Sequence, residues 1–359
     1  MRIHILGVPR NASTPEIAMD PYAMVSYYLT TFLHRNKHEV HYYGFKESTV
    51  ECTKKWVCAD INHHNKYNTT DFEKTHWFES HEGNQIMFQK ATDYILENYK
   101  SGDVIISLWS PQIDTLVKGF KGTGINPLIV DGHIGHQHPN KNTAYHVFAS
   151  HANRHYCYGK HAGGSINEDN YWHDAAIPPI ANTVDNFKYT EKKKDYFLFM
   201  ARLSEGKGLG IFLQLADHFP KKKFILAGQG EYDYTLPSNV EFVGLLNPKE
   251  RKKYLANAKA VISPSHYPEP FGLTAVEAGL SGTPIISTDH GGYTETVVDG
   301  YNGFRCSYFN DFVMAINNID TIKSKDCRKH AEKFSAESLI KEWEKYLHRI
   351  NRIGFYTLD

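Results

Sequence analysis

No run of apolar side chains in this 359-residue chain reaches the ~18 that a membrane span requires. The opening Met-Arg-Ile-His-Ile-Leu-Gly is too short and too quickly polar for a secretory signal, so Asn11 and Asn68, each heading an Asn-x-Ser/Thr triplet, read as chance matches. Cysteine is scarce. Five residues, Cys52, Cys58, Cys157, Cys306 and Cys327, form an odd set with no scaffold spacing, which excludes a disulfide framework and points to reduced thiols in a cytoplasmic setting. Net charge is absent too, because 40 Lys and Arg balance 40 Asp and Glu, so no global field favours nucleic acid or an anionic membrane surface. The chain has no Gly-x-Gly-x-x-Gly, which argues against a dinucleotide site. It also has no Asp-x-Asp pair, no internal repeat and no low-complexity tract.

Apolar material is plentiful. A hydrophobic content of 41% and this length favour two cores over one. Short β-branched and aromatic runs alternate with helical periodicity through most of the chain, the pattern of parallel α/β units. Strands are expected at 2–6, 39–43, 103–108, 128–130, 176–180, 196–200, 224–227, 240–243, 260–263 and from 285. Helices are expected at 22–35, 84–99, 144–152, 209–218, 249–256, 272–281 and 336–353, with a short strand or turn at 154–158. The long polar loop between 8 and 21 invites a binding role, and 46–82, rich in His and aromatics, carries no readable pattern. Residues 181–194 are a polar, charged connector between apolar strands, where a domain boundary belongs. The division expected is 1–181, then 182–335, with an amphipathic helix in 336–359.

Residues 261–286 are the most informative stretch. A buried strand end runs into a loop with Pro264, Pro268 and Pro270, then a short helix, then Gly282 in the position after a helix where φ > 0 is easy, then Pro284 and a new strand. Glu269 lies in the loop and Glu277 in the helix. Entering the helix through Phe271, Gly272 and Leu273 leaves free backbone N–H groups at a positive dipole end, which suits a diphosphate.

This string resembles the Glu-x7-Glu signature of the retaining glycosyltransferases of the GT-B architecture, in which two Rossmann-like α/β domains face a central cleft. Arg202-Leu-Ser-Glu-Gly-Lys207-Gly is similar to the Arg-x4-Lys-Gly motif of the same family, and the stretch 177–187 resembles its interdomain segment. The likeness is close over 196–306 and looser over 1–180. It implies a nucleoside-diphosphate sugar as donor, held mainly by the second domain, and an acceptor, whether glycan, lipid, protein or another molecule, held by the first. The final helix would cross back onto the first domain. Arg202 and Lys207 would hold the diphosphate, as a fork and a point charge respectively. Glu277 would accept from ribose hydroxyls, Glu269 would meet the transferred sugar, Gly228 would lie beside the base, and the loop 290–295 would line the cleft. His133, expected just past a strand end, would face the reacting sugar, with His136 as a rival three residues on. His133, His136 and His138 match no standard zinc spacing, so neither a metal nor any other cofactor is expected. Several alternatives stand beside this one. A glycosidase would need two carboxyl groups ~5–9.5 Å apart across a sugar and would have no use for Arg202 and Lys207. A nucleotide-sugar epimerase, a phosphorylase and a non-catalytic nucleotide-sugar binder share the architecture.

Overall fold

The computed structural model describes residues 1–9, 11–15, 20–67, 82–135, 138–161, 173–230, 233 and 235–353. The chain forms two compact units, Met1–Ala181 with Ala336–Asp359, and Asn182–Ser335.

The first unit runs β1 (Arg2–Leu6), α1 (Pro21–Arg35), β2 (Glu39–Phe45), β3 (Lys54–Ala59), α2 (Ile61–Tyr67), α3 (Glu82–Asn98), β4 (Val104–Ser107), α4 (Pro111–Phe120), β5 (Leu128–Ile134), β6 (Tyr145–Phe148), α5 (His151–His161) and β7 (Ala175–Ala176). Its sheet is wholly parallel in the order β3-β2-β1-β4-β5-β6-β7. Strands buried on both faces must be apolar throughout, and Ile3, Ile5, Val104, Ile105 and Ile106 are all fully buried. Among the polar exceptions, His4 meets Tyr43 Oη at 2.7 Å and Asp103 Oδ2 at 2.9 Å through its ring nitrogens.

The second unit runs β8 (Tyr196–Met200), α6 (Leu209–His218), β9 (Lys223–Ala227), β10 (Val240–Gly244), α7 (Pro248–Asn257), β11 (Ala260–Ser263), α8 (Leu273–Leu280), β12 (Ile285–Thr288), α9 (Tyr293–Thr296), β13 (Gly303–Cys306), α10 (Phe309–Asn318) and α11 (Ser324–Ala331). Its parallel sheet has the order β10-β9-β8-β11-β12-β13. Phe197, Phe199, Phe212 and Phe224 pack at its centre. The chain then returns to the first unit as α12 (Ala336–Ile353), which packs on α1 and buries Trp343, Tyr346, Leu347 and Ile350. His38 Nε2 meets Glu344 Oε1 there at 3.1 Å.

The structure overturns four local expectations. The strand expected at 176–180 is only the two-residue β7, Ala175–Ala176, because Pro178 and Pro179 have no N–H to give a ladder. Residues 145–148 form strand β6 rather than part of a helix: Tyr145-His-Val-Phe is aromatic and β-branched, and it pairs with β5. Residues 154–158 are helical rather than extended, because α5 starts at His151, where Ser150 Oγ accepts from Asn153 N at 2.9 Å. Strand β5 extends through Ile134, so His133 lies within the strand and not past it. Helices α2, α4, α10 and α11 and strands β3 and β13 were absent from the expectations, and most of 68–82 lies outside the described residues. The end of α8 matches the motif: Gly282 has φ 74°, its N–H donates to Gly279 O at 2.8 Å, and Thr283 N donates to Ala278 O at 2.8 Å.

Lys193 fastens the connector. Its ammonium donates to Ala256 O (3.0 Å), Ser281 O (3.0 Å) and Thr283 Oγ1 (2.8 Å), so it satisfies groups at the ends of both α7 and α8. Lys193→Met keeps the stem but strands these acceptors, and we expect it to lower the unfolding free energy by about 2 kcal/mol in urea titrations. An unchanged midpoint would show that the carbonyls are served by water.

Candidate functional site

In an open parallel sheet the crevice lies outside the carboxyl ends of the strands, where the strand order reverses. In the second unit that point falls between β8 and β11. The loop after β8 carries Arg202 and Lys207, and the loop after β11 carries Ser265, Tyr267 and Glu269. The two loops are joined by His266 N, which donates to Gly206 O at 2.9 Å. Gly208, at φ 76°, lies so close to Pro264 that an added Cβ would fall 1.9 Å from the Pro264 carbonyl oxygen, so only glycine allows this approach.

The approach brings together side chains 62 residues apart: Lys207 Nζ meets Glu269 Oε1 at 2.5 Å. Ser265 Oγ donates to the same oxygen at 2.7 Å, and Lys207 Nζ lies 5.0 Å from the centre of the Tyr267 ring. Burial pulls the Lys207 pKa down, but Glu269 and Tyr267 more than offset it, so the ammonium is held above its ordinary range. The Glu269 backbone is fixed from a third strand end, where Gly292 N donates to Glu269 O at 2.7 Å. The 290–295 loop after β12 therefore abuts this group, and Tyr293 below it donates to or accepts from Ser263 Oγ at 2.6 Å.

Glu277 lies on α8, completely buried. The Arg251 guanidinium of α7 forms an ion pair with its Oε1, and the Asn182 side chain is a further hydrogen-bond partner. Burial raises the Glu277 pKa, and Arg251 offsets this only in part. Gly272 is the N-cap of α8 with φ 90° and no side-chain cap, Phe271 is buried edge-on to Phe334 at 5.5 Å, and Leu273 opens the helix half-buried. Gly228 follows β9 and donates its N–H to Gly244 O at 2.9 Å. Arg202 is exposed.

In the first unit, His133 is 6% exposed and stands edge-on to Tyr22 at 4.9 Å, which stands edge-on to Trp109 at 5.4 Å. The pairing of β5 with β6 shifts register between Asp131 and Ile134, an irregularity of the kind that re-aims a side chain. Asn153 Nδ2 then holds Gly135 O at 2.9 Å. Asp131, buried two residues before His133, accepts from Ser110 Oγ (2.9 and 2.8 Å) and from Asn140 N (2.9 Å), and its pKa is raised by burial. His136 lies outside the described residues, among which no group of three His, Cys, Asp or Glu is arranged to hold a metal.

Ser265, Tyr267 and Arg251 were not singled out from the sequence, whereas Tyr293 lies in the 290–295 stretch expected to line the cleft. The first two flank Glu269 closely enough to be noticed. Arg251 sits in Lys249-Glu-Arg-Lys-Lys253, which reads as a solvated helix face.

Two parallel Rossmann-like sheets place the chain in the fold class of the GT-B glycosyltransferases. AviGT4, described as a glycosyltransferase involved in avilamycin A biosynthesis, superimposes with a TM-score of 0.70 at 18% identity over 99% of both chains. Anabaena HepE in complex with UDP-glucose gives 0.67 at 16% identity over 98% of this chain and 100% of that one. Residues 182–338 match the family of glycosyl transferases group 1. Glycogen synthase of Mycobacterium tuberculosis is 33% identical over 123 residues, which is 31% of this chain and 30% of the relative.

The buried pair on α7 and α8 makes its own prediction. Arg251→Met leaves an uncompensated carboxylate in the interior and is expected to cost about 3 kcal/mol in chemical denaturation, while adding Glu277→Gln should restore most of it. Additive losses in the double variant would mean that the two side chains act independently.

Proposed function

We propose that the chain is a glycosyltransferase that moves a sugar from a nucleoside-diphosphate sugar to an acceptor hydroxyl with retention at the anomeric carbon. The bond from that carbon to the diphosphate oxygen breaks and a bond to the acceptor oxygen forms. Nucleoside diphosphate and the hydroxyl proton are released. The observation that carries the reading is the meeting of Lys207 and Glu269 at the point of strand reversal, with Arg202 on the same loop. Lys207 and Arg202 supply positive charge where the leaving diphosphate gains negative charge, the kind of term that contributes most to catalysis. Glu277, held by Arg251, would accept from the ribose diol, since a carboxylate can accept from both hydroxyls. Glu269 would orient hydroxyls of the transferred sugar, and Gly228 would border the base. The names of the relatives agree with sugar transfer, and the neighbour that holds UDP-glucose agrees with such a donor. With two cations and the α8 N-terminus available to the diphosphate, the reaction needs no metal. Five free thiols fit a cytoplasmic setting.

His133 is assigned to the transition state, where an imidazole can stabilise charge on the sugar or orient the acceptor hydroxyl. The acceptor class is open among glycan, lipid, protein and other hydroxyl compounds.

The test begins with a panel of nucleotide sugars and NMR of the product anomer, for which an inverted product would remove the mechanism. Lys207→Ala should weaken a nucleoside diphosphate about tenfold to a hundredfold by calorimetry and leave the nucleoside nearly unaffected. Equal losses for both would contradict the assignment. His133→Ala should lower kcat ~10²-fold with donor affinity nearly intact. Wild-type turnover in that variant would return His133 to a packing role.

A further inference from the structure

We propose that the Lys207–Glu269 ion pair makes the site prefer the sugar-bearing donor over the sugar-free nucleoside diphosphate that leaves it. This rests on the donor reading above. Lys207 and Glu269 are both assigned to the donor, yet here they are bonded to one another at 2.5 Å, their side chains only 18% and 7% exposed. A diphosphate that approaches Lys207 therefore also approaches a carboxylate, and in a largely buried site that repulsion is weakly screened.

The main chain of Glu269 has no room to retreat. Its carbonyl is held by Gly292 N, and an added Cβ on Gly291 would lie 2.6 Å from Glu269 N. The exchange must then be made by side chains. When Lys207 turns to phosphate, Glu269 keeps Ser265 Oγ and gives up the Lys207 ammonium, and a buried carboxylate that gives up a charged donor is costly. A nucleotide sugar offers hydroxyl donors to replace it. At neutral pH a free diphosphate group offers acceptors alone. The pair thus opens readily for the complete donor and resists the bare diphosphate, which favours release of the product.

The experiment is calorimetry on the full chain with the uridine, guanosine and adenosine diphosphates, each against its glucose ester, for the wild type and Glu269→Gln. The amide keeps the shape of the side chain, removes the charge and frees Lys207. Expected are diphosphate binding about tenfold tighter in the variant and ester binding unchanged or weaker, so that the preference for the ester falls by about tenfold or more. Glu269→Ala, with folding checked by thermal melting, should shift the preference in the same direction if the amide variant fails to fold. A variant that weakens diphosphate and ester equally, or leaves their ratio at the wild-type value, overturns the inference while the donor reading stands. Failure of every nucleotide to bind the wild type overturns the donor reading and this inference with it.

Discussion

Parallel strands can be joined only by crossovers, and crossovers in one sheet are right-handed. The placement of the candidate site in the second unit follows from that constraint. Building outward from β8 in both directions sends the connections to opposite faces, so the loops leaving β8 and β11 part at the carboxyl edge. The chain uses this edge for the groups that carry charge. Lys207 leaves the end of β8, Glu269 leaves the end of β11, and Gly292 after β12 braces the latter's backbone. No residue at this edge is placed by its own propensity; each is placed by a strand buried beneath it.

The motif residues were legible through the family resemblance, and the strands that carry them through their apolar runs. Arg202 and Lys207 follow an apolar run that could only be a buried strand, and Glu269 follows another. Gly208 and Gly282 were legible for a second reason, since positions of positive φ or close approach admit little else. What stayed hidden has the opposite property. Arg251 is a buried cation within a run of solvated ones, and the helical face that carries it cannot be told from its neighbours without the position of Glu277. In the first unit, His146 and Tyr145 looked helical because a polar histidine in a four-residue strand blurs the period. The structure shows why that histidine is tolerated: its Nδ1 meets Asp174 Oδ1 at 2.7 Å and its Nε2 meets Asn140 O at 3.0 Å.

The first unit has another economy of design. Asp131, on β5, ties Ser110 at the start of α4 to Asn140 in the loop before β6, and His146 continues the chain of contacts to Asp174 and thence to Tyr158 on α5. A satisfied buried network of this kind fixes one arrangement among several that an apolar core would tolerate. It also fixes the strand that bears His133. The pairing of that strand is irregular at Asp131–Ile134, and the His133 ring stands against Tyr22 on α1.

Charge is buried twice in the second unit, and the two pairs differ in what holds them. Lys207 and Glu269 belong to loops whose backbones are pinned by Gly208 and Gly292, so their positions survive a change of partner. Arg251 and Glu277 lie on helices α7 and α8, and Glu277 is wholly enclosed. An ion pair on loops at a sheet edge can open when a ligand offers equivalent bonds, because each partner is within reach of solvent and of the ligand. An enclosed pair between helices opens only if the packing yields, and removing one member leaves an unsolvated charge. The loop pair is therefore suited to exchanging partners, and the helix pair to holding a carboxylate in place.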